Sequence, residues 1–400
     1  MFGLIRAGQG RGGGASRDLR ADFFRGLALW FIFIDHVPGN WLGGYTLRNV
    51  ALCDATEAFV LLAGYAAGLA YGSMLDRQGW FFASAAILRR VGTLYIAHVF
   101  LFVVFTAQVG YSVAALDSVA YLDELDLNVF GEQPYRALLE ALLLRFQPAF
   151  LDILPLYIVL LLMLVPALLL LHRPRLLVTA AFAAYAAVRL ADVNLPSWRG
   201  GGWFLNPLAW QALFFAGCAL GSSRRAGDPP RIPRSRVALL ACAALLAAGA
   251  LLVVAWQRPE PLPYLPDWLA SVLSGVDKTS LHPFRLLSIL ALAYLLGHWV
   301  SRDAPWMRSP AAAPFVLMGQ HGLPVFCIGI FLSFMGRIAL EQSEGWPMQM
   351  AVNLAGLAAM VAVAAVGAWY RQRSGERGRK AAGDGKTALP AAAPNGTMAE

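Results

Sequence analysis

Charged residues are scarce in this chain of 400 residues. Asp, Glu, Lys and Arg make up 14% of it, whereas ordinary soluble domains carry roughly 25%. Hydrophobic residues make up 58%, and the mean hydropathy is +0.57. Apolar stretches of about 18 to 25 residues recur between Phe23 and Trp369, which is the length needed to cross the hydrocarbon core. The composition excludes an ordinary soluble domain and predicts a polytopic integral membrane protein.

Cysteine is also rare, and no internal repeat stands out. The cysteines lack metal-ligand spacing and form no disulfide framework, so we expect small apolar packing groups and no metal site. The missing repeat disfavours the inverted-repeat transporter folds. The first twenty residues have no apolar h-region, so we expect no cleavable signal peptide. The cysteines are Cys53, Cys218, Cys242 and Cys327.

The apolar stretches predict an all-α bundle of about ten membrane-spanning helices. With the N-terminus in the cytoplasm, most Lys and Arg fall in cytoplasmic segments, as the positive-inside rule requires. The acidic loop 114–147 then lies outside, and the Arg-rich loop 223–236 lies inside. The net charge of +8 therefore reflects topology and attraction to anionic lipid, not nucleic-acid binding. The predicted spans are 22–38, 54–73, 90–113, 148–171, 175–192, 206–222, 237–256, 281–300, 314–337 and 347–370.

The two ends of the chain differ from the rest. Residues 1–16 and 371–400 are rich in Gly, Ala, Arg and Pro without apolar periodicity, so we expect disordered tails, both in the cytoplasm. Between them, residues 17–370 form one membrane domain. Within it, Gly64, Gly68 and Gly72 recur at every fourth position, which predicts close helix packing in lipid.

The first predicted helix carries ionisable groups on an otherwise apolar surface. Arg25 and His36 are eleven residues apart, almost three turns, so both point the same way. An ionised group inside a bilayer costs roughly 3 kcal/mol on insertion scales and indicates function. We therefore expect this helix to line a cavity, with Arg25 towards the cytoplasm and His36 towards the outside, about 16 Å apart.

Two carboxylates, Asp54 and Glu57, open the second predicted helix one turn apart on one face. The connection to the first helix is short, so they are expected beside His36. A carboxylate beside an imidazole fixes its tautomer while the other nitrogen accepts a proton, which predicts general-base catalysis. Asp35 is a poorer partner for His36, since adjacent helix residues diverge by about 100°. The alternative is that these charges cap helix ends.

Basic residues lie near the starts of the eighth and ninth predicted spans. Lys278 stands out because the other two lysines lie in the C-terminal tail. Lys278 and Arg285 are candidates to bind a carboxylate or to steer an anionic acyl group, with interfacial snorkelling as the alternative for Lys278. His321 precedes Pro324, which loosens the helix there. His321 is predicted either to be a buried, satisfied histidine or to line a substrate channel.

Aromatic and amide residues open the sixth span from the outside. Trp203 and Trp210 are typical of an aromatic belt at the membrane interface. They are equally typical of a platform that stacks on sugar rings, because an indole has a flat apolar face and one donor. Asn206 and Gln211 add amide groups near the same entrance. Both interpretations stay open.

These segments resemble the OpgC-type proteins, bacterial inner-membrane enzymes implicated in succinylating osmoregulated periplasmic glucans. The layout is similar to the wider membrane acyltransferase-3 superfamily, although Ala63 replaces the serine of its Phe-Val-Leu-Ser-Gly-like motif. The resemblance covers nearly all of 17–370. It is carried by Arg20-Ala-Asp22-Phe-Phe-Arg25 with Asp35-His36, by Glu57-Ala-Phe-Val-Leu-Leu-Ala-Gly64-Tyr65, and by the segments 203–211, 278–285 and 320–326.

The resemblance implies a multi-pass enzyme of the bacterial inner membrane. Acyl-CoA, with succinyl as the acyl group, would be a co-substrate, and no bound cofactor is expected. The acceptor would be a hydroxyl of a periplasmic glucan, and proteins of glucan synthesis are further expected partners. A transporter or exporter of a glycan or acyl group, and a pseudoenzyme in a glucan-synthesis assembly, are the alternatives.

The expected mechanism assigns roles to both ends of the first helix. His36 would deprotonate a sugar hydroxyl that attacks the thioester, and an acyl-histidine relay is the alternative. Arg25, together with Arg89 and Arg90, would attract the phosphates of CoA. The external acidic loop and the Trp203 region would receive the glucan.

Overall fold

The computed structural model describes residues 18–116, 120–222, 232–256, 275–301 and 304–384. Within these residues the regular structure is helical, apart from one isolated bridge between Pro196 and Gly202. The α-helices are α1 (Leu19–Asp35), α2 (Leu47–Val50), α3 (Ala55–Leu116), α4 (Ala120–Glu124), α5 (Val129–Glu132), α6 (Pro134–Leu142), α7 (Ile153–Ala167), α8 (Pro174–Ala191), α9 (Pro207–Gly221), α10 (Arg236–Trp256), α11 (Pro283–Trp299), α12 (Ala313–Gln320), α13 (Gly322–Gln342) and α14 (Trp346–Asp384). Short 3₁₀ helices span Trp41–Tyr45, Leu168–Leu170 and Pro305–Arg308.

The all-α prediction is confirmed for the described residues. In the part of the chain that the structure describes, six helices are long and apolar enough to cross a membrane, and α9 and α11 are apolar but shorter. Each of the ten predicted spans overlaps a helix. The count of ten spans and the cytoplasmic position of both termini stay predictions. The six long segments are Ala55–Leu116, Ile153–Leu170, Pro174–Ala191, Arg236–Val254, Gly322–Gln342 and Trp346–Ser374.

The long helix α3 contains two of the predicted spans. Its backbone leaves the helical region at Gly79, where φ is 83° and ψ is 176°. Glycine adopts this conformation without the steric cost of a Cβ atom, so the chain can turn there. Residues on either side of Gly79 therefore belong to separate helical halves, in agreement with the predicted spans 54–73 and 90–113.

Glycines allow α3 to pack directly on α9. A Cβ atom added to Gly64 would overlap the carbonyl oxygen of Phe214, and one added to Gly68 would overlap that of Cys218. Both overlaps are with backbone, which cannot move aside as a flexible side chain can. The prediction of close packing is confirmed for these two glycines.

A second close contact joins α1 to α12. A Cβ atom at Gly26 would overlap the carbonyl oxygen of Phe315, and one at Gly319 would overlap that of Asp22. The two helices therefore touch backbone to backbone at the end of α1 that carries Arg25.

The last helix corrects one expectation. We expected the tail to be disordered from residue 371, but α14 continues to Asp384. The segment 371–384 holds four Arg, which favour a helix, and three Gly, which do not, so intrinsic propensity does not account for the extension. The predicted tail 1–16 and residues 385–400 lie outside the described residues.

The Gly64→Ala substitution tests the packing of α3 on α9. The added methyl group has no room beside the carbonyl group of Phe214, so we expect the free energy of unfolding to fall by about 1–3 kcal/mol. Thermal unfolding of the detergent-solubilised protein measures it. Gly92→Ala is the matched control, because it lies in the same helix with no atom within 4 Å of the added Cβ. Equal melting temperatures for the two variants would contradict the contact.

Candidate functional site

Two carboxylates form a capping box at the start of α3. Oδ1 of Asp54 accepts a hydrogen bond from the Thr56 amide at 2.7 Å. Oε2 of Glu57 accepts one from the Asp54 amide at 2.9 Å. This reciprocal arrangement satisfies backbone donors that a helix start leaves open. The capping alternative is therefore confirmed for Asp54 and Glu57, and both side chains also contact cations.

The cations are Lys278 and Arg285, at the start of α11. Nζ of Lys278 lies 2.7 Å from Oδ2 of Asp54 and donates to Oγ1 of Thr56 at 3.0 Å. Nη2 of Arg285 lies 2.6 Å from Oε1 of Glu57 and 3.1 Å from Oδ2 of Asp54. We refer to Asp54, Glu57, Lys278 and Arg285 as the charge network.

The charge network is internally paired. Glu57 is fully buried, and a buried carboxylate is tolerated when a cation and hydrogen bonds accompany it. Burial has the largest single effect and lowers the pKa of Lys278. The attraction of Asp54 and Glu57 together outweighs burial, so the pKa of Lys278 lies above its usual value. Lys278 is therefore an ammonium ion at neutral pH. An anionic acyl group would have to compete with Asp54 and Glu57 for these cations.

The loop that carries Lys278 is attached to α9. Nε1 of Trp210 donates to the carbonyl oxygens of Lys278 and Thr279 at 3.2 and 3.1 Å. The backbone N–H of Asn206 donates to the same carbonyl oxygen of Thr279 at 2.9 Å. These backbone contacts fix where the ammonium group of Lys278 lies.

The expected glycan platform is buried. Trp203, Asn206, Trp210 and Gln211 are between 0% and 6% exposed, so neither indole offers an open face. Asn206 caps α9, and Nε2 of Gln211 donates to the carbonyl oxygen of Ala181 at 2.8 Å. The structure gives these side chains contacts inside the bundle instead of the expected open entrance. The physical reason is that the polar groups of Asn206, Trp210 and Gln211 satisfy backbone carbonyls and amides around α9.

His36 is the C-cap residue of α1. Its Nδ1 lies 2.6 Å from the carbonyl oxygen of Ile32. A carbonyl oxygen can only accept, so this contact selects the tautomer of the neutral imidazole that is protonated at Nδ1. The ring also packs edge-on against Phe150, with centroids 4.7 Å apart. The Nε2 lone pair is then the acceptor that a general base needs.

The expected carboxylate partner of His36 is not observed. Asp54 and Glu57 contact the cations of the charge network, and the Ile32 carbonyl oxygen accepts the hydrogen bond from Nδ1. The Ile32 carbonyl oxygen also accepts the backbone N–H of His36 at 3.2 Å, and its second lone pair accepts the ring. A backbone atom therefore has the orienting role that we predicted for a carboxylate.

Asp35 points to a different partner. The hydroxyl group of Thr46 donates to its Oδ1 at 2.6 Å. The backbone N–H of Thr46 donates to the carbonyl oxygen of Gly43 at 3.2 Å, so Thr46 joins the end of α1 to the following 3₁₀ helix. Asp35 thus supports the loop beside His36 without contacting the imidazole.

Sequence reasoning missed Asp152, the residue before α7. It interacts electrostatically with Lys278 and Asp54, so a third carboxylate lies near the charge network. The same loop carries Phe150, which contacts His36. A lone Asp before an apolar run is a common helix start, so its position in the sequence carries no distinguishing signal.

Arg25 joins α1 to two other helices. Its guanidinium donates to the carbonyl oxygens of Leu62 at 3.0 Å and Gly319 at 3.4 Å. It also lies 3.8 Å from Asp22, whose carboxylate accepts from Gln320 at 3.4 Å. These contacts give Arg25 a structural role, and attraction of CoA phosphates stays a prediction.

His321 lies between α12 and α13 and is 8% exposed. Arg371 of α14 contacts both ring nitrogens, with 2.8 Å to Nδ1, and donates to the carbonyl oxygen of Gln320 at 3.1 Å. The structure therefore favours a buried, satisfied histidine over one that lines a channel.

The predicted residues thus form two groups, one at each end of α1. His36 and Asp35 lie at one end, where electrostatic interactions link His36 with Lys278 and Asp54 of the charge network. Arg25 lies eleven residues earlier, in the group that joins α1, α3 and α12.

One comparison with known proteins finds a family. The family model described as OpgC protein matches residues 17–372. The chain therefore belongs to the OpgC family, in agreement with the resemblance read from the sequence. No curated protein and no solved structure matches the chain.

The Arg285→Met substitution tests the charge network. It leaves the buried carboxylate of Glu57 without its nearest cation, so we expect the free energy of unfolding to fall by about 3–5 kcal/mol. Adding Glu57→Gln removes the uncompensated charge and is expected to restore part of the loss. Thermal unfolding measures both, with Arg173→Met as the control at an exposed site. A double variant no more stable than Arg285→Met would contradict the pairing.

Proposed function

We propose that this member of the OpgC family is a membrane-bound O-acyltransferase that moves an acyl group from acyl-CoA to hydroxyl groups of a periplasmic glucan. Succinyl is the proposed acyl group, and the bacterial inner membrane is the proposed location. Family membership supports a glucan-modifying acyltransferase. The observation that carries the mechanism is the contact of His36 Nδ1 with the Ile32 carbonyl oxygen, because it leaves Nε2 as a proton acceptor.

In the proposed reaction His36 acts as general base. Nε2 takes the proton of a sugar hydroxyl as the oxygen attacks the thioester carbonyl carbon. The new C–O bond forms, the C–S bond breaks, and the imidazolium returns the proton to the leaving thiolate of CoA. The contact of Nδ1 with Ile32 holds the ring in one orientation throughout.

The charge network would support this reaction electrostatically. Negative charge develops on the thioester oxygen during attack, and preorganised cations stabilise such charge where water is excluded. Lys278 and Arg285 are held by Asp54 and Glu57, so they need no reorganisation during the reaction. In this role the network acts through its field and does not bind the acyl carboxylate.

The proposed donor and acceptor approach from opposite sides of the membrane. Arg25 is proposed to lie at the donor end of α1 and His36 at the acceptor end, about 16 Å apart. A direct attack requires the thioester of acyl-CoA to reach His36 from the cytoplasmic side. A relay would instead carry the acyl group on His36 Nε2 between two half-reactions.

The His36→Ala substitution tests the proposal. A general base contributes about 10²–10⁴-fold, so we expect kcat for transfer from labelled succinyl-CoA to glucan to fall by that factor. The assay uses the purified protein in lipid nanodiscs. His172→Ala is the control, because His172 is exposed and its only described ion-pair contact is with Asp76.

Two results would contradict the proposal. Transfer that survives His36→Ala would rule out His36 as the base. The second result has two parts: the wild type transfers no acyl group from any acyl-CoA tested, and labelled glucan crosses the membrane of proteoliposomes that contain the protein. The chain would then be a transporter. A further measurement separates direct transfer from an acyl-histidine relay. Wild-type protein is incubated with succinyl-CoA but no glucan, quenched, and analysed by mass spectrometry. Only the relay adds a succinyl group to His36.

A further inference from the structure

A cavity of about 310 Å³ lies between α5, α6 and the segment that precedes α9. Pockets that bind small molecules commonly measure about 300–1,000 Å³, so the cavity has room for a ligand. It is separate from the charge network, and all of its lining residues fall in segments predicted to be external. The lining residues are Val129, Glu132, Gln133, Arg136, Trp198 and Arg199.

The lining combines one indole with acidic, basic and amide groups. The guanidinium of Arg136 lies 5.5 Å from the ring centroid of Trp198 and donates to Gln133 at 3.4 Å. Arg199 is paired with Asp126 at 3.0 Å. Because the arginines have acidic or amide partners, the cavity is a poor site for a free phosphate or a CoA tail.

Such a lining matches a neutral sugar. Hydroxyl groups of a sugar both donate and accept, and the cavity offers donors on Arg136 and Arg199 and acceptors on Glu132 and Gln133. Arg136 lies over the ring of Trp198, so a pyranose ring would pack beside its guanidinium, against the part of the indole that stays exposed. Within the described residues the Trp198 indole N–H has no hydrogen-bond partner, so it can donate to a sugar hydroxyl.

The cavity is connected to His36 through one loop. The amide of Trp198 donates to the carbonyl oxygen of Arg145 at 2.8 Å, and the ring of Trp198 meets Phe146 edge-on at 5.5 Å. Phe150, four residues further along this loop, packs against the ring of His36. A polymer held at Trp198 would therefore lie along the loop that borders the proposed base.

We propose that this cavity is a subsite for the glucan acceptor, where Trp198, Arg136 and Glu132 bind a glucose residue other than the one being acylated. The proposal rests on the proposed acyltransferase function, and it names the part of the acceptor that is recognised. A subsite away from His36 can assist only an acceptor of several sugar units. A single glucoside can occupy either the subsite or the reaction centre, but not both.

The Trp198→Ala substitution tests the subsite by comparing two acceptors. We expect KM for a β-glucan oligosaccharide to rise about tenfold, with KM for methyl β-glucoside and for succinyl-CoA unchanged. Glu132→Ala, at an exposed position, is expected to raise the same KM about threefold. Trp198→Phe keeps a ring and is expected to restore most of the affinity. The control is Trp346→Ala, since Trp346 is 76% exposed and lies outside the cavity.

Binding of the oligosaccharide without acyl-CoA, measured by calorimetry, separates this proposal from the proposed function. If the wild type transfers no acyl group but binds glucan, and that binding weakens about tenfold in Trp198→Ala and about threefold in Glu132→Ala but not in Trp346→Ala, the subsite stands and the acyltransferase proposal fails. If the wild type is active and neither variant changes KM for the oligosaccharide, the subsite is wrong. An equal rise in KM for both acceptors would also overturn it.

Discussion

A buried carboxylate constrains much of this structure. Glu57 is fully buried, so its charge requires Arg285 beside it, and that contact ties the start of α3 to the start of α11. Asp54 draws Lys278 into the same group, and Trp210 holds the backbone of the Lys278 loop from α9. Three helix starts are therefore positioned by one set of charges. Lys278 and Asp54 of this set also interact electrostatically with His36.

The helix α1 connects two regions with different packing. At its first half, Gly26 and Gly319 let α1 and α12 meet backbone to backbone, and Arg25 adds hydrogen bonds to carbonyl groups. At its end, His36 lies among loops and charged side chains. The first half is held by main-chain contacts, while the end is bordered by the 3₁₀ helix Trp41–Tyr45 and by the loop that carries Phe150. The closely packed first half of α1 therefore anchors the helix that ends at His36, the proposed general base.

Much of this fold could be predicted from the sequence, and less of the site. Hydropathy alone located the helical segments, and capping of a helix end was the open alternative for Asp54 and Glu57. Tertiary contacts carry no such local signature. The contact of Trp210 with Lys278 joins residues 68 positions apart, and Asp152 reads as an ordinary helix start. The orientation of His36 was predicted from charge, but the geometry of the helix end decided it.

The main-chain contact of His36 has a genetic consequence. In many enzymes a carboxylate side chain orients the catalytic imidazole. Replacing that carboxylate with the matching amide can favour the other tautomer, so a mutational screen detects the orienting residue by its loss of activity. Here the orienting oxygen belongs to the peptide group of Ile32, which every amino acid carries. A screen for side chains that orient His36 would therefore return nothing at position 32, and the tautomer is protected from point mutation. The orientation of the ring depends on the helical backbone of α1 and not on the side chain at position 32.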